Sequence, residues 1–193
     1  MRRSRRTGQP GAARSTSLPE DPEADLVRLA EVLDRHGVEY LVVGGVAARA
    51  HGASRPTQDL DCLVRRAREN LERLAEALLE LHAHLRVSGL SEEEMAALPV
   101  RVDAETLARA ELSTWRTDAG DLDLLADIPD RQGTRQKYED LLARSSRIDA
   151  DGVSIRVASL DDVIASKEWA GRAKDREALP ELKELARRDR ENP

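Results

Sequence analysis

Aromatic residues are nearly missing from this chain of 193 residues: it has no phenylalanine, two tryptophans and two tyrosines. A core must therefore be built from Leu, Val, Ile and Ala, and surfaces that stack nucleic-acid bases on aromatic rings are not expected. Trp115 and Trp169 read as packing anchors. Cysteine is almost absent too, and the lone Cys62 excludes an intramolecular disulfide and any cysteine-rich zinc site while fitting a reducing compartment. The four histidines lack metal-ligand spacing: His51 reads as a helix end beside Gly52, and His82 and His84 fall near the end of an amphipathic helix. No apolar run approaches the ~20 residues of a membrane span, so the expectation is a soluble, cytoplasmic protein with no membrane partner. Positive charge is in deficit. The formal net charge of −6 argues against a general nucleic-acid coat but leaves room for local basic patches.

Apolar residues make up 40% of the chain, enough for one unit with a real core. Residues 1–22, "MRRSRRTGQPGAARSTSLPEDP", read as a disordered basic tail without the hydrophobic segment of an export signal; an electrostatic arm for RNA phosphates is the alternative. Asp21-Pro22 offers a helix start, and Leu26, Leu29, Ala30 and Leu33 recur at helical spacing up to Gly37. "EYLVVG" reads as a buried strand closed by Gly44-Gly45, "VAARAH" as one or two helical turns, "ASRPTQ" as a loop and "DLDCLV" as the next strand. Leu71, Leu74, Ala75, Leu78 and Leu81 mark another amphipathic helix. Residues 86–100, with "SEEEMAAL", carry no readable pattern beyond an extended "PVRV" that begins at their end. Then come a capped helix "DAETLARA", a hairpin of "ELSTWRT" and "DLDLLADI" about "DAG", a helix around "RQKYEDLLAR", a strand or hairpin "IDADGVSIRVA" and two final helices. Ser159 and Asp162 suggest a capping box, and Pro180 either kinks the last helix or begins it. This alternation of elements gives an α/β or α+β class.

Residues i and i+2 of a strand share a side, so Asp59 and Asp61 project together while Leu60 and Cys62 turn away; Cys62 is then a small buried apolar residue rather than a nucleophile. Unpaired carboxylates are costly away from water, and two parallel ones repel. A pair of Mg²⁺ ions roughly 4 Å apart relieves both problems and would clamp the attacking and leaving oxygens of a phosphoryl displacement. The side-chain-free turn at Gly44-Gly45 would let backbone N–H groups approach a polyphosphate. In "GDLDLLAD", Asp123 lies between Leu122 and Leu124 on a second apolar strand, where it could deprotonate an acceptor hydroxyl. Asp121 shares its face but adjoins the Gly120 turn, and is assigned to hairpin chemistry.

"VGG", a gap and "DLDC" resemble the signature of the polymerase-beta-like nucleotidyltransferase superfamily. Within it, "GGVAARAHGASRPTQDLD" is similar to the AbiEii group of bacterial proteins, which includes toxins of type IV toxin-antitoxin systems and the mycobacterial Men toxins that act on tRNA. The likeness extends to "SLDDVIASKEWAGRAKDREALPEL". It implies an α+β fold with a mixed sheet flanked by helices, a nucleotidyltransferase core over 23–157 and a C-terminal helical segment over 158–193 that completes the site. By this resemblance Asp59, Asp61 and Asp123 would hold two Mg²⁺ ions, with Mn²⁺ an alternative, while Gly44, Gly45, Arg55, Thr57 and Lys167 would bind an NTP. Catalysis would fall to Asp59, Asp61, Asp123, Lys167 and Asp175, the last completing the site or holding Lys167 or Arg55. Many members carry Ser where this chain has Gly45, so phosphate contact there would rest on the backbone N–H. The resemblance implies transfer of NMP to an RNA 3′ end, particularly of tRNA, and a separately encoded antitoxin partner. A protein or small-molecule acceptor such as an aminoglycoside, or a non-catalytic nucleotide-binding module, are the alternatives.

Overall fold

Asp25 opens the first helix, its carboxylate accepting the Arg28 backbone N–H at 2.8 Å and so satisfying one of the donors that a helix start leaves free. In this computed structural model, which describes residues 25–150 and 152–191, that helix is α1 (Leu26–Arg35). The expected basic tail over 1–22 and the Asp21-Pro22 cap lie outside the described residues. After α1 come β1 (Tyr40–Val42), α2 (Gly44–Ala50), β2 (Asp59–Val64), α3 (Arg68–Glu80), β3 (His84–Leu85), α4 (Glu92–Ala96) and α5 (Ala104–Arg109). The chain continues through β4 (Leu112–Thr117), β5 (Gly120–Leu125), β6 (Ile128–Pro129), β7 (Arg135–Gln136), α6 (Tyr138–Leu142), β8 (Ser146–Ala150), β9 (Val153–Val157), α7 (Leu160–Ala170) and α8 (Ala173–Glu191).

Seven strands form one mixed sheet in the order β3-β4-β5-β2-β1-β9-β8. The parallel pairing of β2 with β5 sets Asp59 beside Asp121 and Asp61 beside Asp123. Antiparallel β4 then brings Arg116 opposite Asp121 and Thr114 opposite Asp123. Because side chains alternate across a strand, Leu60, Cys62, Leu122, Leu124 and Trp115 go to the core face, where all are buried. The acids, Thr114 and Arg116 share the other face. α1 contacts β2, β5 and β9, whereas α2 lies on β2 and touches α7, which packs along α8. The class is α+β, a mixed sheet flanked by helices with two helices at the C-terminal end.

Several local expectations change. The unreadable stretch contains α4, opened by a reciprocal capping box between Ser91 and Glu94; five residues are too few for a hydrophobic period to show. "PVRV", expected to be extended, joins no strand ladder, and the helix expected around "RQKYEDLLAR" shrinks to α6, because Arg135 and Gln136 pair with Pro129 and Ile128 as a second hairpin. Pro180 lies inside the continuous α8 rather than beginning it. Ser159 caps α7 by accepting the Asp162 N–H at 3.2 Å, but the Asp162 carboxylate accepts from the Ser159 hydroxyl at 2.6 Å instead of from its backbone. Only half of the expected capping box forms. Trp115 is a packing anchor at 1% exposure, whereas Trp169 is 55% exposed, contrary to expectation.

Candidate active site

β2 delivers Asp59 and Asp61 to the face that α2 and α7 overlook, and β5 delivers Asp123 alongside. Burial is the largest influence on both β2 acids: it raises the Asp59 acid, with Asp123 and Asp121 adding to the effect, and with Asp123 it pushes Asp61 up to about 6. Asp123 Oδ1 is buried and has no hydrogen-bond partner among the described residues. An unsatisfied buried acceptor is expensive in a finished structure, so its presence beside two more carboxylates fits a cation site. Among the described residues no three acidic, histidine or cysteine side chains close by themselves around an ion. An open set of oxygen donors is what Mg²⁺ favours, since it takes one or two carboxylates and lets water and substrate phosphates complete its octahedron.

The diglycine is explained by crowding. Gly44 has φ +61, and a Cβ added there would overlap the Asp61 carboxylate; the Gly45 N–H donates to Asp61 Oδ2 at 3.4 Å. A Cβ added at Gly45 would come within 2.5 Å of Thr57 Oγ1. The space a serine side chain would need is thus taken by the Thr57 side chain, reaching in from the loop before β2. Both glycines and Thr57 line a cavity of about 420 Å³ that also takes in Asp59, Asp61, Asp123, Arg55 and Lys167.

Asp175 has no exposure and holds the facing wall. It accepts from Lys167 Nζ at 3.3 Å and from Arg172 Nε at 2.6 Å. Burial alone would raise this acid, but the hydrogen bond and charge of Arg172, with Lys167, outweigh it and hold the group below its ordinary range. Asp175 therefore steadies Lys167 and does not touch Arg55. Arg55 donates instead to Glu177 at 3.0 Å and to the Lys174 carbonyl at 3.4 Å, at the rim of the cavity.

Some contributors escaped the sequence reading. Arg172 and Lys174 line the cavity with Lys167; from the sequence the arginines of "GRAKDR" read as an RNA path or a solvated helix face, not as part of the nucleotide site, and Lys174 is given no role. Asp121 is not spent on turn chemistry: it is bound by Arg116 and by Arg86 at 2.7 Å. Those ion pairs hold a fourth acid beside Asp59, and the one with Arg86 became visible only once β3 was placed beside β4. His51 behaves as expected, ending α2 and donating to the Ala158 carbonyl at 2.8 Å, and Cys62 is fully buried.

No protein-family model matches the chain, and no curated protein matches it in sequence. Solved structures do match in fold. A Thermotoga maritima protein described as a candidate nucleotidyltransferase aligns with a TM-score of 0.50 and 17% identity over 82% of this chain and 90% of its own. The lincosamide antibiotic adenylyltransferase LnuA, solved with lincomycin bound, gives a TM-score of 0.55 and 11% identity over 83% of this chain and 96% of its own. The antibiotic-resistance factor ANT(2″)-Ia gives 0.50 and 13% over 86% and 90%. The fold is therefore that of nucleotidyltransferases.

Proposed function

We propose that the protein transfers a nucleoside monophosphate from an NTP to an acceptor hydroxyl, releasing pyrophosphate. The observation that carries this reading is the partnerless, buried Asp123 oxygen standing in register with Asp61. In this reading residues 23–157 form the core that supplies the acids, and residues 158–193 complete the phosphate wall. Asp59, Asp61 and Asp123 would hold two Mg²⁺ ions, or Mn²⁺, which when bound neutralise the carboxylates and polarise the phosphoryl oxygens. The triphosphate lies over Gly44-Gly45 and Thr57, facing Lys167 and Arg55. The acceptor hydroxyl, its proton drawn by Asp123, attacks the α-phosphorus in line while the bond to the β-phosphate oxygen breaks. Asp175 acts through Lys167 as a positioning residue.

The acceptor we assign, on the resemblance of residues 44–61 and 159–182 to AbiEii proteins, is an RNA 3′ hydroxyl, particularly that of tRNA. The setting is a cytoplasmic type IV toxin with a separately encoded antitoxin. Among the described residues no helix is long and apolar enough to cross a membrane. The net charge of −6 favours a second reading, a cationic small molecule such as an aminoglycoside. Incubation with each labelled NTP, Mg²⁺ and separate pools of RNA, protein and aminoglycosides tests both. Label is expected in RNA and none with the Asp59→Ala, Asp61→Ala double variant. Label in the aminoglycoside pool would establish the second reading, and equal NTP binding by both proteins without turnover would make the chain a binding module.

A further inference from the structure

Three of the four aromatic residues are buried, and Trp169 alone is exposed. It sits in the last turn of α7, within one turn of Ser166 and Lys167, which line the cavity. Its six-membered ring lies over Gly133 so closely that any Cβ there would overlap it, and Gly133 has φ +84, a conformation that favours glycine. Gly133 belongs to the loop of the β6–β7 hairpin, whose Ile128 also lines the cavity. The indole is thus seated on one side by backbone and open on the other.

Its chain neighbourhood is charged rather than apolar, with two cations sharing one carboxylate. Glu168, the preceding residue, is bracketed by Arg131 at 2.9 Å and Lys183 at 2.6 Å, both more than half exposed. The other exposed large apolar side chains, Leu79, Val87, Leu90 and Leu112, belong to α3, the segment after β3, and β4. A protein contact would draw on a contiguous apolar patch, whereas a fixed ring with nearby cations matches how single-stranded nucleic acid is held, by base stacking and phosphate attraction.

We propose that Trp169, seated on Gly133 and next in the chain to Glu168 with its Arg131 and Lys183 ion pairs, is a stacking shelf for an unpaired base of an RNA acceptor, just outside the cavity. The inference rests on the RNA-acceptor reading above, and the binding arm of its test needs neither NTP nor metal. Titrating the full chain with a single-stranded RNA oligonucleotide bearing a free 3′ hydroxyl is expected to quench tryptophan emission saturably. Trp169→Phe, which retains only the buried Trp115, is expected to show no response while binding RNA nearly as well. Trp169→Ala is expected to weaken RNA binding about tenfold and to raise KM for RNA without changing kcat or NTP affinity. RNA that binds, or gains label, with Trp169 emission and Trp169→Ala affinity unchanged would overturn the shelf and leave nucleotidyl transfer standing. Label confined to a small molecule, even with the RNA quench intact, would overturn the RNA-acceptor reading and with it the shelf's role in holding an acceptor. Shielding of Trp169 by a partner protein and not by RNA would also overturn it.

Discussion

Asp61 concentrates the conflict between stability and function in one side chain. It is pressed against Gly44, steadied by a single long hydrogen bond from Gly45 and faced by Asp123, so its charge costs the folded state free energy that only a cation can return. Asp61→Asn is expected to abolish transfer while leaving the metal-free Tm equal to or above that of the wild type. Added Mg²⁺ should raise the wild-type Tm and not the variant's, a difference that calorimetry reads directly. A fall of many degrees in the variant would mean that the acids hold the strands together instead.

At the scale of the element, the turn between α7 and α8 organises the cationic wall. Gly171 takes φ +57 and ends α7, so that α8 starts where Asp175 can receive both Arg172 and Lys167. Because the folded-state pKa of Asp175 is held below its ordinary 3.8, its pairing stabilises the fold above that value and the contribution is lost as pH falls through and below it. Asp175→Asn is expected to cost about 1–3 kcal/mol near neutral pH, less than a fully buried pair because Arg172 remains largely in water. Denaturant unfolding should show the gap from wild type closing on acidification below pH 4. A gap independent of pH would assign the loss to packing. Loosening of Lys167 should at the same time weaken NTP binding.

For the whole molecule, core and cavity share walls. Leu182 of α8 has no exposure, belongs to the apolar core and lines the cavity. Leu182→Ala is expected to destabilise the protein by about 2–5 kcal/mol and to weaken NTP binding, checked by unfolding and by isothermal titration. Unchanged NTP affinity in the destabilised variant would show that α8 is a support for the core alone. The sheet divides the labour similarly: one face is apolar and closed by α1, and the other gathers acids from β2 and β5 opposite cations from α7 and α8.

The order of residues by itself determined which side chains alternate along β2 and β5, and hence that Asp59, Asp61 and Asp123 avoid the core, because strand periodicity is a local property. It also determined the short strand ahead of the diglycine, the hairpin about Gly120 and the two closing helices, each marked by neighbouring residues. Only the tertiary structure decided that β2 and β5 lie side by side in register, that Asp121 is claimed by Arg86 and Arg116, that Arg55 turns to Glu177, and that Trp169 stays in the open over Gly133. Except for the hairpin neighbour Arg116, five residues from Asp121, those outcomes depend on pairings between residues far apart in the chain. Their energies arise from burial and charge at contacts that no local pattern encodes.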